Sequence, residues 1–200
     1  AGECPLHVSV RCDSEATVVW LLERGLSPLV VSHNGRTSLH VAALHGRLSC
    51  AQALLIAAGS QRKDLVLTAD CGGMLALHEA AAGGHIDMLE LLLQDTEVDT
   101  CDDKGRTALL CAAEERHYEA ARFLVQAGAD TSTADRDGRT ILHGAAERGN
   151  SAVVQLLLDL GLDPNDRHSD GLTPIHRACL GREPEHTETV RVLLKAGVPA

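Results

Sequence analysis

Asp137-Gly138-Arg139-Thr140-Ile141-Leu142-His143-Gly144-Ala145-Ala146-Glu147-Arg148-Gly149 is a phrase that the chain writes six times. Aligned on its Leu142, it recurs as Cys4-Pro5-Leu6-His7, Thr37-Ser38-Leu39-His40, Leu75-Ala76-Leu77-His78, Thr107-Ala108-Leu109-Leu110 and Thr173-Pro174-Ile175-His176. The anchors 6, 39, 77, 109, 142 and 175 lie 33, 38, 32, 33 and 33 residues apart. A period in this range marks supersecondary units that cannot cover their apolar faces alone and must stack. In the quoted copy, the Thr140 hydroxyl is placed to satisfy a free backbone N–H at the start of a first helix. Leu142, Ala145 and Ala146 share one face of that helix, the alanines small enough for close approach, and Gly149-Asn150 breaks it. A second helix runs from Ser151 to about Leu160, with Val153, Val154, Leu156, Leu157 and Leu158 forming a broad apolar stripe. Gly161 stops it, and Leu162 to Asp170 form an extended crossing with a tight turn before Gly171.

A period near 33 headed by Thr-Pro-Leu-His-x-Ala resembles the ankyrin repeat. The resemblance covers nearly the whole chain. It implies an all-α solenoid of helix-turn-helix pairs joined by β-hairpin-like loops. The copies fall at 1–32, 33–70, 71–102, 103–135, 136–168 and 169–200, making residues 1–200 one array. The first copy begins abruptly and the last stops just after Gly197. Neither has the polar outer face of a capping repeat, so the expectation is a segment of a longer protein.

Composition narrows the function. Of 200 residues, 44% are hydrophobic but only 2% aromatic, so the core is Leu, Val and Ala, with few rings to stack a base or sugar. The net charge of −10 argues against nucleic acid, whose phosphates need a basic stripe, and against an anionic membrane surface. It suits a protein partner with a basic patch. The seven cysteines are odd in number and contain no Cys-x-x-Cys pair, which is neither a disulfide framework nor a zinc spacing. With Cys50, Cys111 and Cys179 standing where repeats carry small apolar residues, they fit a reducing cytoplasmic compartment, the nucleus being the other candidate. No apolar run reaches a membrane span and no signal peptide is visible.

Departures from the repeat carry the remaining expectations. The spacing of 38 places five extra residues in Ser60–Asp70, read as a surface loop or lengthened hairpin with the basic pair Arg62 and Lys63. Trp20 sits where other copies have Leu or Val and is read as core filling. Copy three has Leu75 for the head threonine, and its Gly83-Gly84 weakens a helix end and makes a soft joint. Copy four has Leu110 for the histidine and Arg116 for the mid-repeat glycine. In copy six the second helix is read as Thr189 to Ala196, leaving an expanded loop over 180–186.

Eleven histidines invite metal or acid–base chemistry. His7, His40, His78, His143 and His176 share one repeat position, which spaces them about 10 Å apart, too far for ligands about 2 Å from one zinc ion. The resemblance instead implies that this histidine hydrogen-bonds across the hairpin and helix start. His33, His45, His85, His117, His168 and His186 fall in tips and loops without helical His-x-x-x-His partners. Cys111 and Cys179 have no activating histidine placed by the repeat and are read as packing. The phosphate-cradling Gly-x-x-x-x-Gly-Lys-Ser/Thr is absent. No catalytic residue, metal ligand or cofactor is expected.

The positions free of repeat constraint are the hairpin tips and the two residues after the Ala-Ala pair, which the resemblance places on a concave face. These are His33, Asn34, Arg36, Leu44 and His45, then Met74 and Ala82, then Asp103, Lys104, Arg106, Glu114 and Glu115. Copy five adds Arg136, Asp137, Arg139, Glu147 and Arg148, and copy six Ser169, Asp170, Leu172 and Leu180. The expectation is a monomeric, non-enzymatic scaffold or adaptor that binds a peptide or domain across copies two to five, with a basic group near Glu114, Glu115 and Glu147. The alternative is a regulatory module masking a basic segment of a signalling or transcription factor, as the inhibitors of the Rel factors do. A small-ligand or oligonucleotide sensor is disfavoured by the scarcity of aromatic residues. Asn165 occupies the hairpin position that asparaginyl hydroxylation targets in some resembling proteins.

Overall fold

The computed structural model describes residues 2–197, and among them thirteen α-helices. Twelve form six antiparallel pairs: α1 (Pro5–Arg11) with α2 (Glu15–Glu23), α3 (Ser38–Leu44) with α4 (Leu48–Ala58), α6 (Ala76–Ala82) with α7 (Ile86–Leu92), α8 (Ala108–Glu114) with α9 (Tyr118–Gln126), α10 (Ile141–Glu147) with α11 (Ser151–Asp159), and α12 (Pro174–Leu180) with α13 (Pro184–Lys195). The thirteenth, α5 (Arg62–Val66), lies between α4 and α6. The first helices of successive pairs pack side by side, through alanines that bring backbones together: Ala42 and Ala43, Ala80 and Ala81, Ala112 and Ala113, and Ala145 and Ala146 are all buried. The stack of six pairs agrees with the period read from the sequence.

The three middle hairpins between pairs are built on one device. In Asp70, Asp102 and Asp135 the Oδ1 accepts two backbone N–H groups of the tip, 2.8–3.0 Å away, closing the turn before the next helix. Neighbouring tips are tied by backbone bonds: Cys71 N–H to the Asn34 carbonyl, Asp103 to Gly72 and Arg136 to Lys104, at 2.8–3.0 Å.

At four places the structure differs from what the sequence predicts. The Ser60–Asp70 insertion is not a lengthened hairpin. The chain continues from α4 through a 3₁₀ turn, Gly59–Gln61, into α5, because Leu65 and Val66 are apolar enough to be buried. In copy six α13 begins at Pro184, which suits a first helical turn. The connection shrinks to 181–183, and the expanded loop does not exist. Trp20 is 51% exposed, with the Arg24 guanidinium 4.4 Å from its ring centroid, so it does not fill the core. Cys179 is likewise exposed, whereas Cys50 and Cys111 are buried; burial drives the Cys111 thiol up to about 12.

Thr107 has no imidazole to serve, and its hydroxyl, 1% exposed, accepts the backbone N–H of Leu110 at 3.3 Å. Thr107→Ala is expected to cost about 1 kcal/mol by loss of this cap, read as a shift in the urea midpoint. No shift would mean that the hydroxyl contributes nothing.

Candidate functional site

Where a copy carries the repeated histidine and another copy follows, that histidine holds the pair to the next. In copy two, Nε2 of His40 faces the Met74 carbonyl at 3.0 Å and must carry the proton, so Nδ1 accepts from the Thr37 N–H at 3.1 Å and the Thr37 hydroxyl at 2.9 Å. His7 donates to the Arg36 carbonyl at 2.7 Å, His78 to those of Thr100 and Arg106 at 3.0 and 3.1 Å, and His143 to that of Leu172 at 3.2 Å. His176, on the last pair, bonds to Thr173 of its own copy and, among the described residues, to no other copy. The row is structural, as the resemblance implies. A second row was not foreseen. His85 donates to the Leu44 carbonyl at 3.0 Å, Asn150 to that of Ala113 at 3.3 Å and His186 to that of Glu147 at 2.9 Å, each reaching back to the end of the preceding first helix. Their shared place just before or early in a second helix was the available signal.

Copy four interrupts the first row. Leu110 replaces the histidine, and the joint between copies four and five is closed differently. A Cβ on Gly144 would stand 2.9 Å from Leu110 Cδ1 and 3.3 Å from Glu114 Cγ, so the missing side chain is what lets both settle there. Glu114 then reaches across the joint to Arg139, Nη1 to Oε1 2.5 Å, while Arg106 Nη1 stands 3.6 Å from its other oxygen. Arg139 also holds Glu147 at 2.9 Å, and Arg106 is fixed by Asp102 at 2.7 Å. Asp102, Arg106, Glu114, Arg139 and Glu147 therefore form one connected ladder on the inner face. Burial by itself would raise the Asp102 carboxyl, but the hydrogen bonds from Arg106 and Lys104 outweigh it and hold it below the usual range.

The other expected site residues divide in two. Arg36 is committed to Glu79, an acid the sequence reading passed over; burial raises the Glu79 carboxyl despite that arginine. Met74 and Leu44 are half-buried, and their carbonyls serve His40 and His85. By contrast His33, Asn34, His45, Asp103, Lys104, Glu115, Arg136, Asp137 and Arg148 are exposed. Glu115 and Arg148 are held only loosely to each other, at 3.9 Å. They and Glu147 line a groove of ≈ 380 Å³ with Arg116, Arg182 and Glu183, residues the sequence reading left outside the site. Arg116 lies at φ +68°, the left-handed conformation that Gly46, Gly84 and Gly149 supply in copies two, three and five. Asn165 is exposed, its backbone N–H on Asp163 at 2.8 Å. Among the described residues no group of three or more His, Cys, Asp or Glu is placed to hold a metal ion, and no helix is long and apolar enough to cross a membrane.

Residues 61–135 and 128–199 match the family described as ankyrin repeats (3 copies), and residues 8–55 that described as ankyrin repeats (many copies). The chain belongs to the ankyrin-repeat family. It is 33% identical over 132 residues to the B-cell lymphoma 3 protein homolog of Mus musculus, covering 65% of this chain and 29% of that protein. It is 35% identical over 108 residues to the Transient receptor potential cation channel subfamily A member 1 of Homo sapiens, covering 54% of this chain and 10% of the channel. The crystal structure of the ankyrin repeat domain of Bcl-3, titled a unique member of the IkappaB protein family, superposes with a TM-score of 0.75 at 28% identity, covering 96% of this chain and 82% of that one. The chain thus spans less than a third of these curated relatives. Ankyrin arrays are protein-binding folds, and this array shares that general capacity.

Proposed function

We propose that this array is a non-enzymatic scaffold or adaptor whose inner face receives a peptide or domain presenting a basic group to Glu115 and Glu147. The observation that supports this most is the division of charge in the ladder. Arg106 is already engaged by Asp102, and Arg139 by Glu114 and Glu147, while Glu115, held only loosely by Arg148, and the outer end of the ladder at Glu147 keep 52% and 41% of their side-chain surface open at the groove. A partner's lysine or arginine replaces the loose Arg148 contact at little desolvation cost. Charge reversal at Glu115 and Glu147 together is expected to weaken capture of the partner about tenfold and to flatten its salt dependence. The measurement is affinity capture by native and reversed arrays with quantitative mass spectrometry. An identical recovered set would reject the placement.

The likeness to the Bcl-3 domain favours a second reading, a regulatory module masking a basic segment of a signalling or transcription factor. It uses the same carboxylates, and a captured partner that loses activity when bound would select it. Asn165, exposed at its turn, is the candidate for hydroxylation in either case.

A further inference from the structure

The outer-helix side carries an apolar groove that the inner-face reading does not use. It runs between α2 and α4, with a volume of ≈ 500 Å³ and an apolar lining of Val19, Leu22, Ala53, Ile56 and Ala57. Ile56 is 78% exposed and Val19 36%, while the core of this pair is already closed by Leu54, Leu55 and Val18. The isoleucine therefore adds nothing to the fold that an outward polar residue would not. Glu15 and Glu23 line the groove on α2, and among the described residues neither has an ion-pair partner. Eight positions apart on one helix, they stand about 12 Å from each other along the groove.

We propose that this groove docks an amphipathic helix of a partner protein, laid lengthwise, with an apolar i, i+3/i+4, i+7 stripe on Val19 and Ile56 and a basic residue toward each carboxylate. The spacing of the two acids matches two lysines or arginines seven or eight residues apart on such a helix. A second copy of this chain fits worse, because a two-fold contact sets Glu15 and Glu23 against their own equivalents. An anionic membrane is opposed by the same acids.

The test uses the 200-residue chain and a labelled helical peptide with that leucine stripe and two lysines eight apart, titrated by fluorescence anisotropy. Saturable binding is expected, weakened at least about tenfold by Ile56→Asp, a size typical of losing a central apolar anchor. Glu15→Gln with Glu23→Gln is expected to lower its salt dependence, and amide chemical shifts of the native chain to move around Val19 and Ile56. Since Ile56 is exposed, the Ile56→Asp melting temperature stays at the native value. The absence of saturable binding overturns the proposal, as does binding indifferent to Ile56→Asp. So does loss through Glu115→Lys, which would place the peptide on the inner face, or a native dimer dissolved by Ile56→Asp. The inner-face proposal is untouched by any failure here except that third one.

Discussion

Glu114→Lys is expected to cost about 3–5 kcal/mol of folding stability, the range for leaving a buried charge without its partner. Glu114 keeps only 8% of its side-chain surface and stands between Arg139 at 2.5 Å and Arg106 at 3.6 Å. A lysine there meets two guanidiniums in a site too closed for water to screen them. The loss falls on the joint least able to bear it. Copies four and five lack the histidine bond that ties the other joints, Leu110 standing in its place, and Glu114 supplies the polar tie across that gap together with Asn150. In a quasi-one-dimensional stack a weakened joint separates the units on either side. Copies five and six are therefore expected to melt first, giving a urea transition in two steps where the native chain shows one. Glu114→Gln keeps an acceptor for Arg139 and adds no positive charge, so it should lose roughly half as much. A single unshifted transition for Glu114→Lys would show that the ladder is decoration on a joint held by the packing of Leu110 against Gly144, the Asn150 bond and the backbone bond of Arg136 to Lys104. Glu115→Lys, exposed and loosely paired, serves as the control that leaves stability unchanged.

This contrast explains why the inner face was only half legible in the sequence. The period, the helix pairs and the histidine row follow from spacing, because each depends on a residue's place in its own copy. Whether Glu114 is available to a partner depends on Arg139, a residue of the next copy, and on Gly144, whose missing side chain admits both. No pattern within one repeat reports that. The same reason hid Glu79, which Arg36 of the preceding copy reaches. The Ser60–Asp70 insertion departs from expectation for another cause: surplus length by itself predicts a loop, although Leu65 and Val66 make a short buried helix the better use of it. Asp70, Asp102 and Asp135 were legible but unread, since their common place before each hairpin tip was visible at the outset.

Acidification is expected to remove stability through the histidine row. Burial, above all, pushes His40, His78 and His143 below the ordinary histidine value of 6.5. Around His40 the Arg36 charge lowers it further and Asp70 opposes; around His78 Asp102 opposes and Arg106 lowers; around His143 His168 and Arg177 lower and Asp166 opposes. Geometry agrees, because in His40 and His78 the Nδ1 already accepts a backbone N–H, and a proton placed there would face a donor. Well above pH 6.5 both folded and unfolded histidines are neutral and contribute no slope. Below it the unfolded chain takes up protons that the folded one refuses, so stability falls with pH until the depressed folded values are reached. Within that window each histidine contributes a slope of at most about 1.4 kcal/mol per pH unit, and three together a slope of at most about 4 kcal/mol per pH unit. Glu79 acts in the opposite sense, its raised carboxyl taking up a proton in the folded state first, but its window opens above 4.5 and adjoins the acidic end. Asp102, held below 3.8, loses its contribution only at still lower pH. Urea midpoints between about pH 7.5 and about pH 5.5 should therefore drop steeply, with the steepest part below the ordinary histidine value. His78→Gln should lower stability at every pH yet lessen the slope, which separates a titrating group from one that merely packs. A native profile flat across that range, or a slope unchanged in the variant, would mean that these imidazoles protonate in place and that the carbonyls beyond them hold the cation as well as the neutral ring.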